Sequence, residues 1–525
     1  CASEISKLYG LTRRTRTSVI NGSILPRMIE TADSTQSAVV KAGIKAPLMI
    51  MRGDGGVMDI DEMRKRPVLT MLSGPAASTV GALMYLKVSN GIFFEVGGTT
   101  TDIGLIKNGR PMIDYAVVGG QRTMVNSMDV HTVGVAGGSM IRANNGKIIH
   151  VGPRSCHIAN LPYVAFTEPS EFDKAEVIQI SPKEGDPKDY IAIRANGKEY
   201  ALTTTCAANA LGLVKEGDYS YGYPESAKKC FKLLAEFLNM DEIAAAEAVL
   251  EDAANTTNAV ILELMDKYKV EHSQTTIIGG GGGAKVLLPF AAKKLNLPYK
   301  VADKAEIISS IGVALAMVRD VVERVIPQPT NEDIMNLRAE ATDQVIKSGA
   351  TSQSVEIQIE IDQQTSKVRA IATGSTEIAT QELSKKITKD EALELAAQSL
   401  GVDLDKVDNI ASNQYFRVYS TKKGQKSEIR AIDNKGFIKL QRADAIAVET
   451  TSASIRSVVA KLWKDLAVFK SDIKLNPDIY LCIGAKIVDF EGLNSLDQLN
   501  MLLDSELSLR SGAEDIILIG AKNDL

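Results

Sequence analysis

The chain has 525 residues and a mass of 56.5 kDa, which is too long for a single hydrophobic core, so we expect roughly two to four domains. A hydrophobic fraction of 45%, a charged fraction of 24% and a mean hydropathy of −0.02 exclude a disordered chain. No apolar run reaches the roughly 18 residues that a membrane-spanning helix needs, so we expect no membrane partner. The formal net charge of −5 and the lack of a basic patch argue against nucleic acid as a partner.

The cysteines indicate the compartment. There are five, they are scattered, and none has the C-x-x-C spacing of a zinc site, so we expect neither a disulfide framework nor a zinc knuckle. A reducing cytoplasm fits this pattern best. The sequence starts at Cys1 without a signal-peptide pattern, inside what reads as the end of a strand or a connector. We expect the natural N-terminus to lie further upstream.

Hydrophobic periodicity predicts an α/β chain. In chain order the predicted helical segments are 12–44 (with a leading loop), 72–86, 227–268, a helix from 284, 306–323, 388–400 and 453–467. The predicted strands are 47–51, a hairpin at 91–107, 275–278, 354–362, 368–373, 414–419, 428–440, 479–484 and 516–520. Residues 148–225 show short strands, many turns and little periodicity.

A domain boundary is predicted at residues 326–329, where two prolines interrupt both helix and strand. We expect residues 1–325 to form one unit and residues 326–525 to form a separate C-terminal α/β domain. Beyond the boundary, residues 354–362 alternate apolar and polar side chains, which is typical of a sheet with one solvated face.

The most informative stretch is 93–106, where an apolar strand meets two glycines, three threonines, an aspartate and a second apolar strand. Glycines let a ligand approach the backbone closely, and successive free amides at a turn bind anions. Threonine hydroxyls add donors, and the flanking carboxylates are oxygen ligands that Mg²⁺ accepts. The residues concerned are Glu95, Gly97, Gly98, Thr99, Thr100, Thr101 and Asp102. The stretch predicts a hairpin that binds phosphate and magnesium, with a plain tight-turned hairpin as the alternative.

A second glycine cluster lies much later in the chain, between a predicted strand and a predicted helix. It consists of Gly279, Gly280, Gly281, Gly282 and Gly283. Neither cluster fits G-x-x-x-x-G-K-[ST], nor a G-x-G-x-x-G that opens a helix beside a suitable acidic partner. What remains is the two-lobed, actin-like ATPase architecture, in which hairpins hold the phosphates of ATP and a glycine-rich strand-to-helix turn holds the adenosine.

Further motifs occur in series with these two. They are Arg16–Asn21, Met51–Gly56, Arg66 with Pro67, Leu72–Ala77 and Thr132–Ser139. Together with the hairpin they resemble the hydantoinase A and oxoprolinase family, relatives of acetone and acetophenone carboxylase subunits within the sugar-kinase, chaperone and actin superfamily. The resemblance covers about residues 1–325, and the C-terminal region resembles some single-chain members more loosely.

The resemblance implies roles for the glycine clusters. Gly97–Thr101 are similar to the superfamily's second phosphate loop and would hold the β- and γ-phosphates of ATP, with Asp102 near the metal. Gly279–Gly283 are similar to its adenosine loop, and the predicted helix 306–323 resembles the helix that joins the two lobes. The family usually has Asp where Glu95 stands, so the metal site departs from the pattern by one methylene. The family's first phosphate loop, Asp-x-Gly-Gly-Thr, is absent from this sequence.

Two polar pairs are candidates for substrate contacts. Asp129 and His131 precede the glycine-rich loop 134–138 and would share one face of a strand, where a carboxylate and an imidazole bind a metal or position a lactam. Arg52 and Asp54 lie in a strand-end loop, a common place for substrate contacts, with plain turn chemistry as the alternative.

Cys156 and His157 are adjacent in the sequence and form one more candidate pair. Neighbouring residues of a strand face opposite ways, so the thiol and the imidazole would not meet. We therefore expect no nucleophilic cysteine at this position.

The resemblance implies an ATP-dependent amidohydrolase that acts on a cyclic amide such as hydantoin, 5-oxoproline or a similar lactam, with ATP and Mg²⁺ as cofactors. The resemblance implies that phosphate moves from ATP to the amide oxygen and that water then attacks the activated carbon, with charge stabilised by Mg²⁺ and backbone amides. A carboxylase subunit that activates an enol or bicarbonate is a close variant. A non-catalytic, ATP-binding activator of a partner enzyme is the alternative from another class. We expect a homo-oligomer, with a B-type hydantoinase subunit as a candidate partner.

Overall fold

The computed structural model describes residues 2–6, 8–86, 89–362, 365–375, 386–421, 427–470, 473–507 and 515–523. Within these ranges helices and strands are interspersed, and the α/β class predicted from the sequence is confirmed. The helices, numbered in chain order, are α1 (Ala2–Ile5), α2 (Leu11–Lys41), α3 (Ile60–Lys65), α4 (Ser73–Leu86), α5 (Cys156–Ala159), α6 (Thr204–Ala210), α7 (Pro224–Leu238), α8 (Glu242–Lys267), α9 (Ala284–Leu295), α10 (Ile308–Leu315), α11 (Asn331–Lys347), α12 (Lys389–Leu400), α13 (Ile455–Asp465) and α14 (Leu496–Leu507).

The strands are numbered in the same way. Up to residue 325 they are β1 (Met49–Met51), β2 (Val57–Asp59), β3 (Gly91–Val96), β4 (Thr101–Lys107), β5 (Arg110–Pro111), β6 (Ile113–Val118), β7 (Gln121–Met128), β8 (Val130–Val133), β9 (Ser139–Asn144), β10 (Lys147–Ser155), β11 (Ala175–Ile180), β12 (Tyr190–Ala195), β13 (Lys198–Ala201), β14 (Thr276–Gly280), β15 (Tyr299–Val301) and β16 (Val318–Val325). Beyond it they are β17 (Glu356–Asp362), β18 (Lys367–Gly374), β19 (Val407–Ser412), β20 (Phe416–Thr421), β21 (Ile429–Asp433), β22 (Ile438–Arg442), β23 (Ala445–Thr451), β24 (Val468–Lys470), β25 (Ile473–Leu475), β26 (Asp478–Ile483), β27 (Lys486–Asp489) and β28 (Asp515–Ala521).

One mixed sheet forms the centre of the N-terminal region. Its strand order is β15-β14-β3-β4-β5, and β8 also pairs with β4. Strand β3 lies parallel to β14 and antiparallel to β4. Its side chains alternate between two helical layers, because Ile92 and Phe94 join the core formed with α8 and α9, whereas Phe93 packs with Ala82 of α4. Both faces of the strand are buried, which is why it reads as a nearly continuous apolar run.

A second sheet lies between β8 and β14 in the chain. Its order is β10-β9-β12-β11, with β13 paired to β12. Helices α6, α7 and α8 follow it and share one hydrophobic core with the central sheet. This arrangement fixes the loop before β9 and the short helix α5 next to the β3–β4 turn.

Helices α4 and α10 pack against each other through glycines. A Cβ atom on Gly312 would lie 1.8 Å from the carbonyl oxygen of Ala77, and one on Gly81 would lie 2.2 Å from that of Ile308. The two backbones are therefore in direct contact.

The predicted helix 306–323 is wrong in its second half. The helix α10 is only eight residues long, and the following segment forms β16, which pairs with β18 along its whole length. This segment contains four valines, whose β-branched side chains favour a strand wherever a partner strand is present.

The predicted helix 227–268 is interrupted. Asn239 adopts a left-handed conformation with φ of 52° and ends α7, and the Asp241 carboxylate accepts backbone hydrogen bonds that start α8. Asparagine and aspartate are favoured at these two positions because their short polar side chains stabilise helix ends.

The sheet that contains β16 crosses the predicted domain boundary. Its order is β1-β2-β16-β18-β17, so that strands from before and after residue 326 pair with each other. We propose that the C-terminal unit starts after β18, near residue 375, rather than at 326. Later strands form two four-stranded sheets, β19-β20-β21-β22 and β23-β28-β26-β27.

The far end of the β3–β4 hairpin is attached to the C-terminal region. The Asn108 side-chain amide donates to the Glu491 carboxylate at 3.0 Å, and the Arg110 guanidinium donates to the Ile487 carbonyl at 2.9 Å. Lys107 Nζ lies 3.5 Å from the Glu491 carboxylate. These contacts fix the hairpin at the end opposite its Gly-Gly turn.

Two further observations bear on the predictions made from composition. Among the described residues, no helix combines the length and the hydropathy needed to cross a bilayer. The four cysteines in the described ranges are buried and carry free thiols; they are Cys156, Cys206, Cys230 and Cys482.

We expect replacement of Gly312 by alanine to destabilise the α4–α10 contact. The new methyl group would meet backbone atoms of Ala77 and Gly81, and overpacking of this kind lowers the free energy of unfolding by about 1–3 kcal/mol. Gly22→Ala is the matched control, because Gly22 lies in α2 with no non-local atom within 4 Å, and alanine there should stabilise the helix by about 0.5–1 kcal/mol. Chemical denaturation of both variants measures the difference. An unchanged midpoint for Gly312→Ala would contradict the close packing.

Candidate functional site

The β3–β4 turn presents unpaired backbone amides. The Gly97 amide donates to the Thr100 carbonyl at 3.0 Å and closes the turn. The amides of Gly98, Thr99 and Thr100 have no acceptor among the described residues. Successive amides that point out of a turn form a concavity suited to an anion, so the predicted phosphate loop has the required backbone.

The second glycine cluster meets this turn directly. The Gly283 amide donates to the Val96 carbonyl at 2.9 Å. Gly281 has φ of 79°, and a Cβ atom there would lie 2.4 Å from the same carbonyl oxygen, so only glycine fits. The structure therefore brings together the two glycine clusters that the sequence predicts to act together.

The five glycines of this cluster have two different roles. Gly279 and Gly280 belong to β14, where added Cβ atoms would lie 2.6 Å from Leu288 and 3.1 Å from Phe93. They allow helices to pack closely on the strand and lie below the turn. Gly281–Gly283 form the turn itself and are the part that a ligand can approach.

A third glycine-rich segment, residues 134–138, forms hydrogen bonds with the β3–β4 turn. The Gly137 amide donates to the Gly97 carbonyl at 3.1 Å, and the Gly138 amide donates to the Gly98 carbonyl at 2.9 Å. The Thr101 hydroxyl is buried and donates to the Val135 carbonyl at 2.5 Å. Of the three predicted threonines, Thr101 therefore serves the fold, whereas the other two lie at the turn.

Glu95 and Asp102 form a pair of facing carboxylates. They are directly opposite in the β3–β4 register, so their side chains share one face of the hairpin. Glu95 accepts a hydrogen bond from the Ser309 hydroxyl at 3.1 Å, and Asp102 accepts one from Thr132 at 2.6 Å. Burial raises the pKa of both groups, and the charge of Asp102 raises that of Glu95 further.

This donor set fits Mg²⁺. In the described part of the chain, no three or more His, Cys, Asp or Glu side chains cluster as a metal site of their own. Mg²⁺ characteristically binds through one or two carboxylates and completes its shell with phosphate oxygens and water. Two carboxylates beside an anion-binding turn match that pattern.

Asp129 and His131 do pair, but on the other face of the sheet. His131 Nε2 lies 3.3 Å from the Asp129 carboxylate, which also accepts hydrogen bonds from Lys267 and Tyr268 at 2.7 Å each. In the β4–β8 register Thr132 lies opposite Asp102, so His131 points away from it. Burial opposes ionisation of Asp129, but the hydrogen bonds from His131, Lys267 and Tyr268 outweigh it and lower its pKa.

Arg52 and Asp54 are buried and bound to each other. The guanidinium contacts the carboxylate through two hydrogen bonds of 3.1 and 2.9 Å, and the two residues are only 4% and 2% exposed. Arg52 also lies 3.4 Å from Asp320 of β16, which in turn lies 3.3 Å from Arg66. These charges are satisfied inside the protein, so their geometry favours a structural role over the predicted substrate contact.

A sequence model of the Hydantoinase/oxoprolinase family matches residues 14–322, which is more than half of the chain. The chain belongs to the hydantoinase/oxoprolinase family. The resemblance noted in the motifs is thereby confirmed.

Individual relatives share shorter stretches. Caprolactamase subunit alpha from Pseudomonas jessenii is 30% identical over 149 residues, which are 27% of this chain and 21% of the relative. The crystal structure of ATP-dependent caprolactamase from the same organism matches 79% of this chain and 63% of its own chain, with a TM-score of 0.54 and 18% identity. The nucleotide-free structure of acetone carboxylase matches 86% of this chain and 67% of its own chain, with a TM-score of 0.50 and 13% identity. The structural likeness shows the actin-like fold, and the sequence match spans about a fifth of the curated relative.

Tyr219 is a candidate site residue that we did not predict from the sequence. A Cβ atom on Gly282 would lie 2.4 Å from Cδ1 of Tyr219, so the ring contacts the glycine backbone while 75% of the residue is exposed. An ion pair of 2.5 Å between Asp218 and Lys285 attaches this loop to the start of α9. The sequence signal for this loop is the set of tyrosines at positions 219, 221 and 223. The pattern does not show which of the three rings faces the glycines.

Cys156 and His157 lie at the start of the short helix α5 and not in a strand, so the predicted alternation of faces does not apply to them. Cys156 is fully buried, and burial raises the pKa of its thiol to about 11. The neutral thiol therefore dominates at physiological pH. His157 is exposed and lies against the phosphate turn, a position that the sequence analysis did not predict.

We expect Asp320→Asn to destabilise the protein strongly at neutral pH. Burial opposes ionisation of Asp320, but the charges of Arg52 and Arg66 outweigh it and lower its pKa. Its stabilising contribution is therefore present above the unfolded-state pKa and is lost as pH falls through the lower, folded-state pKa. Removing the carboxylate leaves two arginines without it, at a cost of about 3–5 kcal/mol of unfolding free energy.

The matched control for this change is Asp403→Asn, because Asp403 is an exposed partner of Lys406. Urea denaturation between neutral and acidic pH should show a large difference from wild type for Asp320→Asn that shrinks as pH falls. A difference that does not depend on pH would contradict the ionic role of Asp320.

Proposed function

We propose that this protein is an ATP-dependent enzyme that hydrolyses a cyclic amide, such as a hydantoin, 5-oxoproline or a similar lactam. The observation that carries the proposal is the hydrogen bond from the Gly283 amide to the Val96 carbonyl. It joins an anion-binding turn to a side-chain-free strand-to-helix turn, which is the combination that a nucleoside triphosphate requires. The relationship to a protein named caprolactamase supports a lactam as the substrate class.

In this proposal one turn binds the phosphates of the nucleotide and the other turn binds its ribose and base. The amides of Gly98, Thr99 and Thr100 bind the β- and γ-phosphates of ATP. The ribose and the base lie against the turn Gly281–Gly283, whose own residues carry no side chains. The exposed ring of Tyr219 lies beside this surface and is suited to stack on the base.

We further propose that Glu95 and Asp102 hold Mg²⁺. The raised pKa of each carboxylate reflects the cost of keeping its charge in a buried position. A divalent cation between the two groups offsets that cost and also neutralises the phosphates. The extra methylene of Glu95, relative to the aspartate usual in the family, extends its carboxylate towards Ser309 of α10.

The chemistry of the proposal is activation of a poor electrophile. ATP would supply a phosphoryl group to the amide oxygen with release of ADP, after which addition of water, cleavage of the ring C–N bond and release of phosphate would give the ring-opened product. The protein holds the phosphates with backbone amides that are already oriented, so no reorganisation is needed as charge develops. The Thr99 hydroxyl, 3.1 Å from that of Ser155, adds a donor at the tip of the turn.

The Pseudomonas jessenii relative is subunit alpha of a caprolactamase, and we propose that this protein also works with a second, B-type subunit. Four free and buried cysteines support a location in the cytoplasm. Both proposals are independent of the identity of the cyclic amide.

We expect the full-length protein, with its partner subunit if one co-purifies, to release ADP faster when a cyclic amide is added. Hydantoin, 5-oxoproline and caprolactam are the compounds to screen, and the corresponding ring-opened amino acids are the controls, because they lack the amide to be activated. ADP release and ring-opened product are both measured. ATP binding without stimulated turnover would contradict the hydrolase and favour an activator, and stimulation by bicarbonate with a ketone would favour the carboxylase variant.

We expect Glu95→Gln and Asp102→Asn to raise the Mg²⁺ concentration needed for ATP binding by roughly tenfold or more, since each removes a metal ligand. Titration of a fluorescent ATP analogue with Mg²⁺ measures this effect. Asp266→Asn is the control, because this aspartate is exposed. Because the pKa of both carboxylates is raised, the Mg²⁺ requirement of the wild type should increase on acidification at a higher pH than for ordinary carboxylates. An unchanged Mg²⁺ requirement in both variants would exclude the pair as the metal site.

A further inference from the structure

His157 lies directly against the tip of the phosphate turn. A Cβ atom on Gly98 would be 2.5 Å from its Nε2 and 3.0 Å from its Cδ2. A side chain at position 98 would displace the imidazole from this position. Ser155, which caps the N-terminus of the short helix α5, is also at the tip, since its hydroxyl lies 3.1 Å from that of Thr99.

The imidazole is held in place by Tyr163. The tyrosine hydroxyl lies 3.1 Å from Nε2, and the two rings pack edge to face with centroids 5.6 Å apart. Burial raises the pKa of Tyr163 well above its usual range, so its hydroxyl stays protonated at neutral pH. A phenol both donates and accepts hydrogen bonds, so it orients the ring in either protonation state of the histidine.

We propose that His157 binds the terminal phosphate of the nucleotide and so allows the protein to distinguish ATP from ADP. This inference rests on the proposed function. The amides of Gly98, Thr99 and Thr100 have no acceptor among the described residues, and the exposed imidazole lies against Gly98 of the same turn. A phosphate held by these amides would therefore lie beside the ring, whose Nε2 is also 3.1 Å from the Tyr163 hydroxyl.

The position along the cleft indicates which phosphate this is. Gly283 meets the hairpin at Val96, at the base of the turn, and this marks the adenosine end. His157 contacts the hairpin at Gly98, further towards the tip. A nucleotide laid from one turn to the other places its last phosphate nearest the imidazole, and ADP ends before reaching it.

The neighbouring thiol does not offer a different role for this histidine. Cys156 is buried against Gly138 and stays neutral at physiological pH, because burial raises its pKa to about 11. The imidazole therefore has no thiolate to activate; it is exposed, and its Nε2 contacts the Tyr163 hydroxyl.

The test compares His157→Ala and His157→Gln with wild type by isothermal titration of ATP and of ADP, each with Mg²⁺. We expect His157→Ala to weaken ATP binding by about tenfold, the effect of losing one charge-assisted hydrogen bond, and to change ADP binding by less than about twofold. His157→Gln keeps an N–H donor and should fall between wild type and His157→Ala.

His150→Ala is the matched control, because His150 lies on the preceding strand β10 and pairs with Asp252 at 3.0 Å. It should bind both nucleotides as wild type does. Equal weakening of ATP and ADP by His157→Ala, or no weakening, would overturn the inference while leaving the proposed nucleotide site intact. If the wild-type protein bound neither nucleotide, the proposed function would fail, and this inference with it.

Discussion

The candidate site depends on one backbone hydrogen bond, from the Gly283 amide to the Val96 carbonyl. It forms because β14 lies parallel to β3 and both strands end at the same edge of the central sheet. Gly281 makes it sterically possible, since any Cβ atom there would collide with the acceptor oxygen. The helices on the two faces of the sheet and the third glycine-rich segment hold these strand ends in place. The rest of the N-terminal region serves to keep two turns in contact.

The polar residues predicted for the site differ in whether their charges are paired within the protein. Arg52 is paired with Asp54 in the interior and shares Asp320 with Arg66, so these charges have partners within the protein. The Asp129 carboxylate is likewise bound, by Lys267 and Tyr268. By contrast, burial raises the pKa values of Glu95 and Asp102, and the amides at the turn have no acceptor among the described residues. Charges and donors whose needs the protein itself does not meet are the ones to expect at a binding site.

The region after residue 326 is continuous with the core. Strand β16 recruits β17 and β18 into a sheet with β1 and β2, so the prolines near residue 327 mark a connection and do not separate two sheets. The sheet β23-β28-β26-β27 attaches near the far end of the β3–β4 hairpin, because Asn108 and Arg110 donate to Glu491 and Ile487. The same hairpin therefore joins the C-terminal region at one end and carries the proposed phosphate turn at the other.

The sequence by itself determined the local features: the hairpin, the strand-to-helix glycine turn, most helices and the family, because these depend on periodicity, turn chemistry and residues adjacent in the chain. It failed for residues 318–325, where pairing with β18 makes a strand of a segment that we predicted as helix. It also did not show that His131 faces away from Asp102, or that Tyr219 and His157 lie against Gly282 and Gly98. Register and packing bring together residues distant in the chain, and no local pattern encodes the face on which each side chain arrives. Only the tertiary structure decided which polar groups meet each other and which are left for a ligand.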